Sequence, residues 1–205
     1  MTAPFNSGLR PAFSPEVKYV AFFRNVNLGR ANCPSKAQLE DAFMRAGAQL
    51  ASSFLTNGTI VFDVAASDRA RKILAAAHRT LQAECGLKEP AYLRTVEQLA
   101  GLVALMPFAS VERDAVYECC ISFLPPEDVA LPALPMSSKR ADVELISTTG
   151  TEVFSVSRKI GNTPGSPNAF LEKLILPPHF RTRPIRNVAP VVRVERGVTA
   201  QPVAA

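Results

Sequence analysis

Two basic loops in this sequence contain the side chains best suited to bind an anion. The first covers residues 24–30 and the second covers residues 157–168. Arginine presents charged donors in a fork that fits phosphate and carboxylate groups, and glycine lets backbone N–H groups approach a ligand closely. Each loop is predicted to lead from a strand into a helix, whose first N–H groups favour an anion. The predicted ligand-binding residues are Arg24, Asn25, Asn27, Gly29, Arg30, Asn57, Arg158, Lys159, Ser166, Asn168 and Arg183.

Both loops also have a structural explanation that involves no ligand. Asn25 and Asn27 can satisfy the backbone of a tight loop, while Pro164 and Pro167 can hold a rigid crossover whose basic residues face water. Neither loop has the glycine spacing of a Walker A motif or of a dinucleotide-binding fingerprint. The residue types therefore indicate an anion site without specifying its ligand.

The usual catalytic and metal-binding patterns are absent from the sequence. There is no G-x-S-x-G elbow, and neither His78 nor His179 lies beside an evident nucleophile. His78 falls in a helical segment rich in alanine and basic residues, where we expect it to face solvent. The four cysteines have no C-x-x-C spacing, so we expect ordinary thiols, no metal site and no cofactor. Whether the protein is an enzyme stays open.

Positive charge is concentrated near the end of the chain. Residues 158–196 contain eight Lys and Arg residues against two acidic residues, while the whole chain has a net charge of +5. This segment favours an anionic partner, either a small molecule or a nucleic acid. RNA-recognition modules stack bases on spaced aromatic residues, but Phe22 and Phe23 are adjacent, so only one of them can face the sheet surface. The sequence favours a small anionic ligand, with non-specific nucleic-acid binding as an alternative.

Composition is typical of a soluble globular protein, with 47% hydrophobic and 20% charged residues. No apolar stretch is long enough to cross a bilayer, and residues 1–16 lack the apolar core of a secretory signal. We therefore expect a cytoplasmic location and no membrane contact. The sequence does not determine the oligomeric state.

The elements that must position these loops begin with a β-α-β-β-α-β unit over residues 17–94, which is the order of a ferredoxin-like fold. VKYVAFFR at residues 17–24 has the short apolar and aromatic run of a strand. Asn57-Gly58 predicts a two-residue hairpin with a type I′ turn, which requires positive φ at both positions.

Helix boundaries are marked by capping residues. Ser35 with Gln38, and Thr95 with Gln98, have the spacing of a capping box that begins a helix. Gly86 is placed to end the helix between them. The helix that begins after Thr95 is predicted to connect two halves of the molecule.

A near repeat predicts that the second half copies the first. TNGTIVF at residues 56–62 and TTGTEVF at residues 148–154 agree at five of seven positions. The predicted fold class is α+β, a tandem duplicated ferredoxin-like architecture of two subdomains. The predicted organisation is a disordered tail over residues 1–16, a first ferredoxin-like subdomain over 17–94, a connector helix with a second ferredoxin-like subdomain over 95–188, and a C-terminal tail over 189–205.

This duplication leads to an expectation about the site. If the halves are equivalent, both strand-exit loops should converge on one concave surface, and Arg24 should lie near Arg158. A third possibility is a structural or interaction module that has no catalytic activity and offers exposed sheet edges to partners.

Three stretches also carry a family resemblance, namely VKYVAFFRNVNLGR, TNGTIVFDV and SRKIGNTPGSPNAFLEK with the later Thr182-Arg183. In order and spacing they resemble the bacterial proteins called domain of unknown function 1697. The resemblance implies a tandem ferredoxin-like fold over about residues 17–188 and no established activity. The chain departs from the family pattern at Asn25 and Arg30, where glycine is usual, and at residues 184–187. These departures would alter a pocket that depends on the family's residues.

Overall fold

A computed structural model describes residues 17–54, 56–112, 116–124, 130–175 and the backbone of 191–194. The first half forms the predicted β-α-β-β-α-β order. Its elements are β1 (Val17–Phe23), α1 (Lys36–Arg45), β2 (Leu50–Ser53), β3 (Thr59–Val64), α2 (Ala70–Cys85) and β4 (Ala91–Thr95). A 3-10 turn precedes α2, and α3 (Val96–Ala104) follows β4 directly.

The capping signals read from the sequence are confirmed at the helix ends. Ser35 Oγ accepts from the Gln38 N–H at 3.2 Å, and the Gln38 side chain accepts from the Ser35 N–H at 2.8 Å. Thr95 and Gln98 form the same reciprocal pair at the start of α3. Gly86 ends α2 in the left-handed conformation, with φ of 74°. Local side-chain chemistry thus fixes these helix boundaries.

The first sheet has the antiparallel strand order β2-β3-β1-β4, which makes β1 a central strand. Successive residues of a strand point to opposite faces. Ala21 and Phe23 pack against α1 and α2, whereas Val20 and Phe22 face the second half of the chain. Burial on both faces explains why residues 20–23 of β1 are an uninterrupted apolar run.

The second half is built around a five-stranded antiparallel sheet. Its elements are β5 (Glu118–Phe123), β6 (Met136–Ser137), β7 (Val143–Thr148), β8 (Glu152–Ser157), β9 (Lys159–Ile160), β10 (Thr163–Pro164), α4 (Pro167–Ile175) and β11 (Val191–Val194). The sheet has the order β11-β5-β8-β7-β6, and β9 with β10 forms a separate ribbon. The α+β class is confirmed, with two main antiparallel sheets and, among the described residues, four α-helices.

The duplication itself stays a prediction. The order β2-β3-β1-β4 in the first sheet parallels β7-β8-β5-β11 in the second. However, a duplication predicts a helix between β5 and β7, and residues 130–135 of that connection are not helical, while residues 125–129 lie outside the described residues. Pro132 and Pro135 account for the missing helix at 130–135, because proline lacks the N–H that a helix needs.

Several predicted features fall outside the description or differ from it. The predicted tail over 1–16, the predicted last strand over 180–188 and Arg183 lie outside the described residues. β11 lies within the segment 189–205 that the sequence indicated as a tail, where it pairs with β5. A valine-rich segment becomes a strand there because the edge of β5 supplies hydrogen-bond partners.

The two sheets pack face to face, and α4 covers the far side of the second sheet. Between the sheets, the rings of Phe22 and Phe123 stack at 5.0 Å, and those of Phe108 and Phe154 meet edge to face at 6.0 Å. Aromatic pairs in such geometries stabilise a core beyond the area they bury. Leu171 of α4 lies in a third buried cluster with residues of β7 and β8. The described chain therefore forms layers in the order helices, sheet, sheet, helix.

The predicted type I′ turn at Asn57-Gly58 is wrong, although the hairpin is present. Only Gly58 of the two has positive φ, at 74°, and the connection covers residues 54–58. The Phe23 N–H donates to the Gly58 carbonyl at 3.0 Å, and Gly58 lies against the Val26 side chain. This tertiary contact, rather than a tight two-residue turn, sets the conformation. The matching second stretch turns at Gly150, whose φ is 96°.

We predict that Gly58→Ala destabilises the protein more than Gly29→Ala. Both glycines have left-handed φ, at 74° and 83°, so alanine costs about 1–2 kcal/mol at either position. At Gly58 an added Cβ would also lie 2.6 Å from the Val26 Cβ, whereas at Gly29 nothing lies within 4 Å. We expect an additional loss of about 1–3 kcal/mol in the free energy of unfolding. Urea unfolding measures both, and equal losses would contradict this reading.

Candidate functional site

Arg24 leaves the end of β1 and reaches into the second half of the chain. Its side chain is buried, with 5% of the residue exposed. Nη2 donates to Glu172 Oε1 of α4 at 2.7 Å, and Nη1 lies 3.9 Å from Glu89 Oε2. The guanidinium therefore joins the first sheet to α4 by a buried ion pair.

The Arg24 guanidinium still has unused donors. Its Nε and Nη1 are buried and have no hydrogen-bond partner among the described residues. Buried polar groups in native proteins nearly always have a partner, because leaving one unpaired costs about 1–3 kcal/mol. These two donors are the clearest chemical feature that the predicted loops contribute.

The rest of the first loop is held by its own backbone. The Leu28 N–H donates to the Thr56 carbonyl at 2.8 Å, which ties the loop to the β2–β3 connection. Asn25 has a left-handed φ of 49°, a conformation that asparagine tolerates. The predicted residues Asn25, Asn27, Gly29 and Arg30 are exposed. Asn57 is exposed as well, and its side-chain oxygen accepts from Thr59 Oγ1 at 2.8 Å.

Residues 86–90 run beside this loop. The Arg24 N–H donates to the Pro90 carbonyl at 2.9 Å, and the side chain of Asn32 approaches Gly86. Lys88, which is exposed, lies between these two contacts. The expectation that His78 faces solvent is wrong, because its ring is half-buried and its Nε2 lies 2.9 Å from the Glu89 carbonyl oxygen.

Most polar groups of the second loop are already bonded to other residues of the chain. Arg158 Nη2 pairs with Glu144 at 3.0 Å, and the Arg158 carbonyl accepts from the Gly165 N–H at 3.0 Å. Ser166 Oγ accepts from the Ala169 N–H at 3.3 Å and so caps α4, as predicted. Asn168 meets Ser122 Oγ at 3.3 Å, and Lys159 is exposed. Gly165 is required there, because an added Cβ would collide with the Asp142 carbonyl oxygen.

Both loops meet α4. Arg24 binds Glu172 in the middle of that helix, and the segment from Arg158 to Ser166 leads into its first turn. Six residues separate Ser166 from Glu172, or about 9 Å along a helix axis. Ligand binding by the predicted residues stays a prediction.

Sequence reasoning missed a second buried ion pair between the halves. Arg94 Nε of β4 donates to Glu152 Oε1 of β8 at 2.7 Å, and the guanidinium lies 4.8 Å from the centre of the Phe123 ring. Thr149 Oγ1 and Thr151 Oγ1 both donate to Glu152 Oε2, at 2.6 and 2.8 Å. The sequence signal for this ion pair was a charged residue, Arg94, in the otherwise uncharged segment PAYLR at residues 90–94. Its partner lies 58 residues away, so the sequence did not identify it.

Sequence reasoning also missed a wide cleft in the described part of the protein. It has a volume of about 1000 Å³ and contains none of the predicted site residues. Its walls come from β4, from the start of α2, from α3 and from the turn before β8. The residues that carry its polar character include Arg71, Arg94, Thr95, Gln98, Thr151 and Glu152. No local motif marks these residues, because tertiary packing alone brings them together.

Comparison with known proteins identifies the family. The family described as "Protein of unknown function (DUF1697)" matches residues 17–154, and the chain belongs to this family. The resemblance found in the sequence is therefore confirmed. The match covers the first half, β5, β7, the first three residues of β8 and the cleft residues named above.

One solved structure shares the fold. It is described as the conserved bacterial protein SP0830 from Streptococcus pneumoniae, and it is 14% identical, with a TM-score of 0.55. The likeness covers 87% of this chain and 93% of that chain. No curated protein matches the sequence. In the part of the chain that the structure describes, no helix has the length and apolar character needed to cross a membrane.

We predict that Glu152 makes the stability of the protein sensitive to acid. Burial by itself would raise the pKa of the Glu152 carboxyl, but hydrogen bonds from two threonines and from Arg94 outweigh burial, so the pKa lies below its ordinary value. A lowered folded-state pKa stabilises the fold above the unfolded pKa, about 4.3, and this contribution disappears as the pH falls through the folded value. At pH 7, Glu152→Gln should cost about 1.5–3 kcal/mol, because it leaves the half-buried Arg94 without its counter-charge.

The measurement is urea unfolding of both proteins from neutral to acid pH. The difference in the free energy of unfolding should shrink as the pH falls, since protonation removes the charge that the variant lacks. Glu97→Gln, which changes an exposed residue of α3, is the matched control and should change little at any pH. A pH-independent difference between wild type and Glu152→Gln would refute the assigned role.

Proposed function

We propose that this protein binds a small anionic ligand, such as a phosphorylated metabolite, at the loop that follows β1. One observation carries the proposal: the Arg24 guanidinium is buried, and its Nε and Nη1 have no hydrogen-bond partner among the described residues, while Nη2 donates to Glu172. A phosphate or carboxylate oxygen is the partner that such a fork accepts best. The ion pair to Glu172 fixes the guanidinium, so little side-chain entropy is lost when an anion binds.

Charge around Arg24 supports an anion as the ligand. Glu89 lies 3.9 Å from Nη1, too far for a hydrogen bond, and its side chain is 32% exposed. It can turn toward solvent when an anion takes its place. Arg30 and Lys88 are exposed and have no ion pair within the described residues. With these two cations, the site remains attractive to an anion despite Glu172.

The exposed amides of Asn25 and Asn27 supply neutral hydrogen-bond donors beside the charge. In the second loop Arg158 is already paired with Glu144. That loop can therefore offer an anion only the exposed Lys159 and the start of α4. The proposal therefore places the ligand nearer to Arg24 than to Arg158. Arg183 lies outside the described residues, so its place in the proposed site rests on the sequence alone.

We also propose a tandem ferredoxin-like duplication and a cytoplasmic location. Matching strand orders in the two sheets support a tandem ferredoxin-like duplication. Cys33 and Cys85, which form no disulfide among the described residues, support a reducing, cytoplasmic location in a bacterial cell. A catalytic role has no support from the described residues, and the proposed role is binding.

Nucleic-acid binding is the weaker candidate because the aromatic surface it would use is covered. In RNA-recognition modules the open face of the sheet stacks on bases. Here Phe22 is stacked on Phe123 between the two sheets, and Phe23 lies beneath the helices. A small ligand at a loop needs no such surface.

We predict that inorganic phosphate binds at Arg24 and stabilises the protein. Titration with phosphate at constant ionic strength should shift the NMR signal of the Arg24 Nε–H in a saturable manner, because that donor gains a partner. At a phosphate concentration one hundred times the dissociation constant, stabilisation should reach about 2.7 kcal/mol. Arg30→Gln should weaken binding by up to about fivefold, as expected for an exposed charge.

Lys72→Gln is the matched control, because Lys72 is exposed and lies near the opposite end of α2 from Gly86. It should leave the phosphate titration unchanged. An Arg24 Nε–H signal that does not respond to phosphate or to sulfate would rule out the proposed site. A uniform effect of Arg30→Gln and Lys72→Gln would indicate non-specific charge attraction instead.

A further inference from the structure

The outer edge of β4 is open along the cleft. In the first sheet β4 is the last strand, and among the described residues it pairs with β1 alone. All five residues of β4, Ala91 to Thr95, line the cleft. An unpaired strand edge presents backbone donors and acceptors that another chain can use. This edge is therefore a candidate docking surface, separate from the loop around Arg24.

The pattern of hydrogen bonds shows which backbone groups point into the cleft. The Arg24 N–H donates to the Pro90 carbonyl, so Pro90, Tyr92 and Arg94 direct their backbone groups toward β1. The intervening residues, Ala91, Leu93 and Thr95, direct theirs outward. Among the described residues, nothing bonds to the outward N–H and C=O of Ala91 or to the outward N–H of Leu93.

The three other outward groups are used within the chain, the Thr95 carbonyl as the N-cap acceptor of α3. The Leu93 carbonyl accepts from Arg94 Nη1 at 2.8 Å, and the Thr95 N–H donates to Gln98 Oε1 at 2.9 Å. Pairing along β4 must therefore be short and centred on Ala91 and Leu93. Five strand residues extend about 14 Å from first to last, which suits a segment of four to five residues.

The cleft walls suit apolar side chains on such a segment. Leu74 of α2 lies on one side of β4, and Leu102 and Leu105 of α3 lie on the other, with Leu124 beyond them. Leu105 is 60% exposed and is followed by Met106, which is 69% exposed. The apolar lining thus continues onto the surface at the end of α3. A contiguous apolar surface of this kind indicates a protein partner rather than a small solute.

Charge in the cleft specifies the partner further. Arg94 and Glu152 neutralise each other, and Asp68 is paired with Lys72 at 3.9 Å. Arg71 lines the cleft, is exposed and has no ion pair among the described residues. The uncompensated charge of the cleft is therefore positive, and it lies on the wall formed by α2.

We propose that an extended segment of a partner protein docks along β4 as an added strand. The segment carries apolar residues at alternate positions and an aspartate or glutamate that pairs with Arg71. Main-chain hydrogen bonds to Ala91 and Leu93 provide the binding geometry, and the apolar walls with Arg71 provide specificity.

The experiment selects binders from a displayed library of random heptapeptides, using the intact protein. We expect enriched peptides with alternating apolar residues and an acidic residue. Arg71→Glu should weaken their binding by at least about tenfold, since it removes a charge-assisted pair and adds repulsion. Arg79→Glu changes another exposed arginine of the same helix that does not line the cleft, and it should leave affinity unchanged.

A second variant tests the added strand directly. Ala91→Pro removes an outward N–H at the first residue of the strand, a position where proline is tolerated, and it breaks no bond to β1. It should abolish binding of the selected peptides while urea unfolding stays close to wild type. Amide hydrogen exchange should be fast at Ala91 and Leu93 in the free protein and slow with peptide bound.

Each remaining outcome would overturn the proposal. These outcomes are a library without enriched sequences, peptides that bind Ala91→Pro as well as wild type, and exchange at Ala91 and Leu93 that is unaffected by peptide. A dimer in sedimentation that Ala91→Pro dissociates would assign the edge to a second copy of this chain instead. Failure of the phosphate titration at Arg24 would leave this test unaffected, because the two sites share no residue.

Discussion

The face-to-face packing of the two sheets is the constraint on which the rest of the structure depends. It buries Phe22 against Phe123 and makes β1 a strand with no solvent-facing side in its second half. Because the sheets cover each other, a polar group buried at the border between them needs a partner within the protein, in its own half or in the other. The positions of the charged residues follow from this requirement.

Two arginines at that border illustrate the consequence. Arg24 lies just past the end of β1 and Arg94 near the end of the antiparallel β4, and their counter-charges come from α4 and β8. Such pairs add little net stability over apolar residues, but breaking one is costly because it leaves a buried charge alone. They therefore fix how the halves are oriented. The donor nitrogens of Arg94 are hydrogen-bonded, whereas Nε and Nη1 of Arg24 have no hydrogen-bond partner among the described residues. This difference distinguishes a structural arginine from a candidate ligand contact.

Sheet packing also divides the surface into two different kinds of candidate site. At the end of β1, a loop with left-handed residues exposes amides and cations around one buried guanidinium. Along β4, the missing neighbour strand leaves a cleft between α2 and α3 whose floor is backbone. The first suits a compact anion and the second suits an extended chain, because one offers charged side chains and the other offers a strand edge. Both lie within or beside the region shared by the family.

The sequence by itself determined the local structure: the capping boxes at Ser35 and Thr95, the end of α2 at Gly86, the β-α-β-β-α-β order and the family. These depend on residues three or four apart or on short apolar runs, so they can be read along the chain. Only the tertiary structure decided that Arg24 is buried against Glu172, that Gly58 turns against Val26, and that Arg94 meets Glu152. Those contacts join residues 32 to 148 positions apart, and no local periodicity encodes which distant residue will supply a partner.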